Sequence, residues 1–423
     1  MPQQPTAKAA ALPEGDPAWE RTLRVLWVAQ LLAVAGMSLI LPILPLIVRD
    51  LGVTDLAELQ RWSGLIFAAP FLSAAVMTPV WGWVGDRWGR KPMVVRALFG
   101  LSIAVFCMGF ATTPEHLLAL RILQGMISGF IAAAIALVSS IAPHARLGYA
   151  LGYLSSSQAA GIVVGPLFGG VLADLVGFRS LFFVTAAIEL LAGFAVLRWV
   201  REDRATRPIS RSSVFSNARY AMRGPVLVAL VGLFLTQLAI LLVQPFFALF
   251  VESLGVARDR LSSTTGFLFG ATGLAALLAA PRWGAVGDRI GRRRVLWIAF
   301  IGGSLVFLLQ AVTRNVPSLF ALRFLQGVFA AGMLPVLYAT IASHSPEERR
   351  AGIVAFGSSA TLCGGLVGPI LGGYLASGLG MRPVFVFSTA AFLLAGLNTL
   401  RLPPDRKPGE PPLRHRMWEL PTQ

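Results

Sequence analysis

Gly82-Trp-Val-Gly-Asp-Arg-Trp-Gly-Arg-Lys91 is a short polar stretch between two long apolar runs, and the chain contains it twice. The second copy, Gly284-Ala-Val-Gly-Asp-Arg-Ile-Gly-Arg-Arg293, follows at an offset of 202 residues (284 − 82). Glycines, an acid and three bases placed so closely between apolar runs are typical of a turn at a membrane surface. Their duplication predicts a protein built from two related halves.

The composition indicates a polytopic membrane protein. Of 423 residues, 56% are hydrophobic and only 13% are charged, and the mean hydropathy is +0.71, whereas a soluble domain carries about 25% charged residues. The net charge of +16 does not indicate nucleic-acid binding, because the charges concentrate in short loops between apolar runs. We therefore expect the lipid bilayer, and no nucleic acid, as a partner.

Twelve apolar segments are long enough to cross a bilayer, for which a helix needs about 20 residues. They should be helical, because a bilayer core offers no water to satisfy backbone groups. The expected fold class is therefore all-α, with twelve transmembrane helices in two six-helix pseudo-symmetric bundles. The predicted spans are 24–48, 62–84, 93–112, 116–142, 147–173, 180–199, 225–251, 262–286, 294–313, 317–342, 350–377 and 382–400.

The longest polar interval divides six spans from six and is rich in arginine, as expected of a linker on an anionic membrane surface. The expected organisation is a leader (1–23), an N-terminal bundle (24–200), a linker (201–224), a C-terminal bundle (225–400) and a tail (401–423). With both termini inside, 27 Lys and Arg residues fall on the cytoplasmic side and seven on the other. Basic residues favour the cytoplasmic side, so we expect a cell (inner) membrane protein with both termini cytoplasmic.

Two further motifs repeat in the same order. Leu120-Arg-Ile-Leu-Gln-Gly125 recurs as Leu322-Arg-Phe-Leu-Gln-Gly327, and the glycine-proline pattern from Gly161 to Gly170 recurs from Gly364 to Gly373. Both halves begin on the same side, so they are parallel repeats, which transporters use for alternating access by rocking one half against the other.

The three repeated motifs resemble the signature motifs of the major facilitator superfamily. The glycine-proline pattern in span 5 is similar to the antiporter motif of twelve-span drug:proton antiporters, and Leu41-Pro-Ile-Leu-Pro-Leu46 resembles the bacterial multidrug efflux carriers of that group. The resemblance covers residues 24–400 and implies a proton-coupled efflux transporter.

The resemblance implies that the opening stretch is a gating motif that latches the two halves in one state and releases them in another. Asp86 lies just before span 3, where its carboxylate would accept hydrogen bonds from free helix amides. The alternative is a topogenic basic turn with a helix cap. The assigned residues are Gly82, Gly85, Asp86, Arg87, Gly89, Arg90 and Lys91 with Gly284, Asp288 and Arg289.

Three charged residues inside spans are candidates for proton coupling: Arg121, its repeat partner Arg323, and Glu189. A charge inside a span is costly and is expected to face the protein interior and to have a partner. Glu189 is an acid well inside span 6, where its repeat partner is Phe392, so symmetry does not explain it. A structural acid bonded to its neighbours is the alternative, and span 1 has no acid between Arg24 and Arg49 to take the coupling role.

The glycine-proline pattern has a packing interpretation as well as a functional one. Glycines four residues apart form a groove for a neighbouring helix, and proline allows a bend. The resemblance implies an antiporter hinge, and simple close packing is the alternative. The residues are Gly161, Gly165, Pro166, Gly169 and Gly170.

If the resemblance holds, spans 1, 4, 7 and 10 line a substrate cavity suited to bulky amphipathic compounds. The candidate residues, which are also ordinary packing residues, are Gln30, Met37, Gln237, Gln244, Phe246 and Tyr338. Asp50 and Glu252, near the outer ends of spans 1 and 7, are weaker candidates for carrying a proton.

The preferred function is proton-coupled efflux (antiport) of small amphipathic molecules or drugs by a monomeric secondary transporter. The alternative is a proton-coupled symporter that imports a sugar or an organic anion, for which the intramembrane arginines argue. The repeat symmetry argues against a membrane-embedded enzyme or receptor. No phosphate-binding loop supports ATP as the energy source, no metal-ligand spacing occurs among the histidines, and no cofactor is expected.

Overall fold

The computed structural model describes residues 17–200, 202 and 214–403, and these residues are helical apart from turns and short connections. Twelve helical segments are long and apolar enough to cross a membrane, and they are numbered here as spans 1 to 12. Their bounds are Trp19–Asp50, Leu56–Gly85, Arg90–Met108, Pro114–Ile141, Leu147–Val176, Phe178–Trp199, Gly224–Ser253, Arg258–Gly287, Arg292–Val312, Val316–Ser343, Gly352–Leu379 and Met381–Thr399. All twelve predicted spans are confirmed.

Two helices begin six or more residues earlier than the sequence predicted, by 24 − 17 = 7 and 62 − 56 = 6 residues. The first helix begins at Pro17 instead of residue 24, because Trp19 and Leu23 are buried among the neighbouring helices. The second begins at Leu56, where the Asp55 side chain caps the helix by accepting a hydrogen bond from the Glu58 amide. A short helix, Val214–Ala221, lies inside the interval predicted to be a linker.

Spans 1 and 7 are each interrupted at the same place. In span 1 a helix ending at Ile40 is followed by a 3₁₀ turn, Leu41–Ile43, and by the helix Leu44–Asp50. In span 7 the turn is Gln244–Phe246 and the second helix is Phe247–Ser253. Proline within each turn removes an amide donor, which favours the interruption.

The two halves use the same internal contacts at repeat-related positions. The indole nitrogen of Trp81 donates to the Met126 carbonyl at 2.6 Å, and that of Trp283 donates to the Val328 carbonyl at 2.6 Å. Both bonds join the second helix of a half to its fourth. The duplication seen in the sequence is therefore a duplication of the packing.

The bundle has two ends, which are named here by the chain segments they carry. The linker end carries Trp199 and Gly224, where the chain leaves one half and enters the other. The far end carries the connections from span 1 to span 2 and from span 7 to span 8.

Small residues join the halves along two seams. Span 2 packs on span 11, where an added Cβ at Gly64 would meet the Pro369 backbone. Span 5 packs on span 8, where an added Cβ at Gly266 would meet the Pro166 carbonyl oxygen. Such close backbone approach between helices requires residues without side chains.

Candidate functional site

The bases of the gating motif bind within their own half. The Arg90 guanidinium donates to the Ala136 carbonyl of span 4, and the Lys91 ammonium donates to the Leu197 carbonyl of span 6 at 3.0 Å. Gly89, at a φ of +103° that favours glycine, ends the preceding helix. These bonds fix the start of span 3 against the last turns of spans 4 and 6.

The second copy of the motif makes the same two contacts. Arg292 donates to the Ala339 carbonyl at 3.3 Å, and Arg293 donates to the Leu402 carbonyl at 3.3 Å. Each copy of the motif therefore holds helices of its own bundle together. The side chains of Asp86 and Asp288 lie outside the part of the structure that is described, so their proposed roles stay predictions.

The amides at the start of span 3 are bound by a residue that the sequence analysis did not single out. The two oxygens of the Glu202 carboxylate accept hydrogen bonds from the Arg90 and Lys91 amides, each at 2.8 Å. A carboxylate at a helix N-terminus satisfies free donors and interacts favourably with the helix dipole. Asp86 was predicted for this contact from its sequence position, whereas Glu202 reaches it from beyond span 6.

The intramembrane arginines Arg121 and Arg323 are both buried, but their surroundings differ. Arg121 donates to the Gln124 side chain at 3.1 Å, and its Nε and Nη2 have no hydrogen-bond partner among the described residues. Arg323 makes the corresponding bond to Gln326 at 3.2 Å, and its Nε and Nη2 likewise have no hydrogen-bond partner among the described residues. The difference is that the Arg323 guanidinium carbon lies 3.5 Å from the Phe247 ring centroid. A ring at that distance stabilises a desolvated cation.

Leu44 occupies the position in span 1 that Phe247 occupies in span 7, since both begin the helix after the 3₁₀ turn. No aromatic contact with Arg121 is found within the described structure. Arg121 is thus the less satisfied cation of the repeat-related pair.

Glu189 is fully buried between spans 1 and 6 of the N-terminal half. A Cβ added at Gly36 of span 1 would lie 3.6 Å from Glu189 Oε1 and 2.9 Å from Thr185 Cγ2. Neither carboxylate oxygen of Glu189, nor the Thr185 hydroxyl, has a hydrogen-bond partner among the described residues. The alternative was a structural acid bonded to its neighbours. Among the described residues, no hydrogen bond to Glu189 supports it.

The glycine-proline motif faces two different helices. Added Cβ atoms at Gly161, Gly165 and Gly169 would meet span 1, at Val34, Ala35 and Leu39 among others. Gly170 instead faces the Ser262 backbone of span 8 in the other half, as the Pro166 carbonyl faces Gly266. The motif joins span 1 to the seam between the halves.

The six cavity candidates fall into two groups. Gln30 and Phe246 are buried, and Gln30 donates to the Leu154 carbonyl at 3.3 Å, so neither is open to a ligand in this conformation. The other four are partly exposed, and among the described residues none of their side chains forms a hydrogen bond. They are Met37, Gln237, Gln244 and Tyr338.

At the far end, an ion pair joins the halves between spans 1 and 7. The Arg49 guanidinium donates two hydrogen bonds to the Glu252 carboxylate, at 2.9 and 2.6 Å. Arg258, which belongs to the same half as Glu252, donates to the same carboxylate at 3.3 Å.

The two seams are also bonded at the far end. The Asp174 carboxylate of span 5 accepts from the Ser262 and Ser263 amides at the start of span 8, at 3.3 and 2.8 Å. On the other side, Arg61 of span 2 donates to the Ser377 hydroxyl of span 11 at 3.1 Å. Every hydrogen bond that joins the described residues of one half to those of the other lies at this end.

The linker end shows the opposite arrangement. Added Cβ atoms at Gly82, Gly148, Gly152 and Gly284 would meet no atom within 4 Å. These glycines lie in the linker-end parts of spans 2, 5 and 8, whose far-end parts form the seams. Among the described residues, the halves are therefore joined by hydrogen bonds at the far end and by none at the linker end, where these four glycines face open space, as expected for one state of an alternating-access transporter.

Comparison with known proteins agrees with this architecture. A family model described as Major Facilitator Superfamily matches residues 26–263 and 259–419. The chain belongs to the major facilitator superfamily. Its fold, with twelve spans in two related halves, is the major facilitator fold that the motifs predicted.

The relatives found include proteins named for drug resistance. The multidrug resistance protein MdtG of Proteus mirabilis (strain HI4320) is 36% identical over 379 residues, which cover 88% of this chain and 93% of that protein. MdtG of Escherichia coli O81 (strain ED1a) is 34% identical, covering 92% of this chain and 97% of that protein.

Among solved structures, a bacterial homologue of the human lysosomal transporter Spinster, in an inward-facing and occupied conformation, superposes with a TM-score of 0.76. It is 15% identical and covers 91% of this chain and 97% of the other.

Proposed function

We propose that this major facilitator superfamily protein is a proton-coupled efflux transporter, and not an enzyme, that exports small amphipathic molecules by alternating access. The relatives named multidrug resistance protein support the direction and the substrate class. The observation that carries the proposal is the arrangement of the halves, which are bonded together at one end and separated at the other.

The orientation follows from the basic residues of the sequence. With the spans predicted from the sequence, 27 of the 36 Lys and Arg residues fall on the side of the termini and the linker, against seven on the other side, and basic residues favour the cytoplasmic side. The protein thus lies in the cell membrane with both termini cytoplasmic, and the halves leave a cleft at the linker end that is open to the cytoplasm. It acts as a monomer, because each chain carries both halves of the transport pathway.

Partly exposed side chains with unused hydrogen-bonding groups support a polyspecific cavity. Gln237, Gln244 and Tyr338 come from spans 7 and 10, and Met37 adds an adaptable apolar surface from span 1. A few hydrogen-bonding groups in an otherwise apolar wall suit amphipathic molecules of varied shape. These residues bind the substrate before the cleft closes.

The proton is carried by Glu189 in this proposal. A buried carboxyl without a hydrogen-bond partner is stable when it is neutral and costly when it is charged. Its position against Gly36 links its charge to the first helix of span 1, which carries Met37 and precedes the short helix with the far-end residue Arg49. Arg121 assists as a permanent charge in the same bundle, whereas Arg323 is held by Phe247 and has the more structural role.

The gating motif governs when the linker end closes. Arg90 and Lys91 hold span 3 inside the N-terminal half while the linker end is open. Gly82 has open space around it in this state, so the other half has room to approach there. Asp86 would then act as the latch when the halves meet.

One observation favours a second candidate, the symport of an organic anion. Arg121 has two guanidinium nitrogens without hydrogen-bond partners among the described residues, and such donors bind carboxylates well. The same donors serve proton coupling equally, so transport measurements must decide.

Everted membrane vesicles with a preset acid interior separate the two functions. Antiport predicts that tetraphenylphosphonium or chloramphenicol, added outside, dissipates the pH gradient, while vesicles with the Arg121→Gln variant or without the protein do not respond. Symport predicts dissipation only when an organic anion such as gluconate is preloaded inside. A response to preloaded gluconate alone, or no response to any probe, would contradict the efflux proposal.

A further inference from the structure

We infer that Glu252 is a switch residue at the far end, for which Arg49 and Arg258 compete, one from each half. The inference rests on the proposed alternating access and names the residues that time the opening of the far end. It assigns to Arg49 and Arg258 opposite effects on the conformational equilibrium, although both bind the same carboxylate.

The location of the Arg49–Glu252 pair follows from the internal symmetry. Arg49 is the sixth residue of the helix Leu44–Asp50, and Glu252 is the sixth residue of the helix Phe247–Ser253. The two positions are therefore repeat-related, at an offset of 203 residues (252 − 49). Parallel repeats are related by an axis along the membrane normal, so equivalent residues that touch must meet on that axis.

A contact on the axis favours opposite charges. If both halves carried the same charge there, the closed far end would bring like charges together. The protein instead places a guanidinium in one half and a carboxylate in the other, joined by two parallel hydrogen bonds at 2.9 and 2.6 Å. This bidentate geometry is the strongest arrangement for such a pair, and it exists only while the far end is closed.

The second arginine changes the energetics of opening. Arg258 donates a single bond to Glu252 Oε1 at 3.3 Å, and its side chain is 81% exposed, against 26% for Arg49. Arg258 and Glu252 lie six residues apart in the same half, so they stay together when the halves separate. After Arg49 departs, both carboxylate oxygens and the full negative charge become available to Arg258.

The two arginines therefore act as competitors. Arg49 stabilises the closed far end, and Arg258 binds Glu252 more strongly in the open state than in the closed state. Loss of the Arg49 bond is partly offset by the strengthened Arg258 bond, which keeps the barrier to opening low. Among the described residues, the flanking far-end groups Asp174 and Arg61 form no ion pair within their own half, and their bonds act only as closure contacts.

The inference is tested by electron-paramagnetic-resonance distances between two spin labels at the far end. The measurement requires neither a transport substrate nor a proton gradient. Labels are placed at Thr112→Cys and Arg314→Cys, which are exposed, repeat-related positions on opposite sides of the bundle, after Cys107 and Cys363 have been replaced by alanine. Arg49→Lys, which cannot form the two-bond fork, provides a background in which the closed and open distances are both populated.

Compared with Arg49→Lys, Arg49→Gln is expected to give a higher open-to-closed ratio. Adding Arg258→Gln to Arg49→Lys is expected to lower the ratio about two- to five-fold, the range of an exposed ion pair. Arg260→Gln is the matched control, because Arg260 is equally exposed and contacts Asp259 but not Glu252. A rise or no change with Arg258→Gln, or an equal fall with Arg260→Gln, would overturn the competition.

A charge exchange distinguishes a gate from a structural contact. Arg49→Glu alone should open the far end, and adding Glu252→Arg should close it again to at least the wild-type fraction. Failure of the exchange to restore closure, with protein that elutes as a single peak, would contradict the gate. Because these distances require no transport, such a failure leaves the proposed efflux function to be judged by the vesicle measurement alone.

Discussion

Gly36 of span 1 lies directly against Glu189 of span 6, so closely that an added Cβ would be 3.6 Å from the carboxylate and 2.9 Å from Thr185 Cγ2. The contact places a buried carboxyl without a hydrogen-bond partner, among the described residues, beside the backbone of a cavity-forming helix. A change in charge at Glu189 therefore acts first on the position of span 1.

The first prediction concerns this contact. Gly36→Ala should displace span 1 from span 6 by a few tenths of an ångström, because 2.9 Å is shorter than real Cβ contacts. Overpacking of this kind costs about 1–3 kcal/mol, so the thermal midpoint and the transport rate should both fall. Gly152→Ala is the control, since a Cβ there meets nothing within 4 Å. Equal effects of the two substitutions would contradict the assignment.

The second prediction concerns the Glu202 cap. Glu202→Ala removes both acceptors of the Arg90 and Lys91 amides, and loss of a helix cap costs about 0.5–2 kcal/mol. The thermal midpoint of the purified protein should fall, and protease cleavage near residue 90 should become faster. The exposed residue Glu347, which contacts only Arg350 in the described structure, provides the control variant Glu347→Ala. An unchanged midpoint for Glu202→Ala would show that the cap is dispensable.

The third prediction separates the two buried arginines. Phe247→Leu replaces the ring that contacts Arg323 by the residue type found at the repeat-related position of the other half, Leu44. Removing a cation–π contact costs roughly 0.5–2 kcal/mol, so stability should fall while the number of protons moved per substrate stays constant. Arg121→Gln should instead abolish proton coupling at normal protein levels. The account fails here if Arg121→Gln retains full coupling, or if Phe247→Leu changes the proton-to-substrate ratio.

Much of the architecture was predictable from the sequence because bilayer thickness and backbone hydrogen bonding leave few alternatives. The twelve spans and the two related halves followed from apolar length and from the repeated motifs. The early start of span 2 was missed because Asp55 caps a polar first turn, and apolar run length does not detect a cap. The short helix Val214–Ala221 was missed because its surroundings are arginine-rich and indicated a linker.

The site was predictable only in its residue types. Glu189 and Arg121 stood out because charge inside an apolar span is costly. The contact between Glu189 and Gly36 was not predicted, since Gly36 is an ordinary glycine. The Glu202 cap was not predicted either, because Glu202 lies in a charged segment 112 residues after Arg90. The difference between Arg121 and Arg323 depends on Phe247, which only the fold brings to the guanidinium. Likewise, the Arg49–Glu252 pair requires knowing that the repeat axis brings two sequence-distant positions together.

The most direct test of the central claim measures proton release from the purified protein when substrate binds. In weakly buffered detergent solution containing a pH indicator, tetraphenylphosphonium should release protons from the wild-type protein, because antiport requires substrate and proton to exclude one another. The Glu189→Gln variant should bind the same probe, as followed by equilibrium dialysis, and release none. Equal proton release from wild type and Glu189→Gln at equal probe binding would contradict the account.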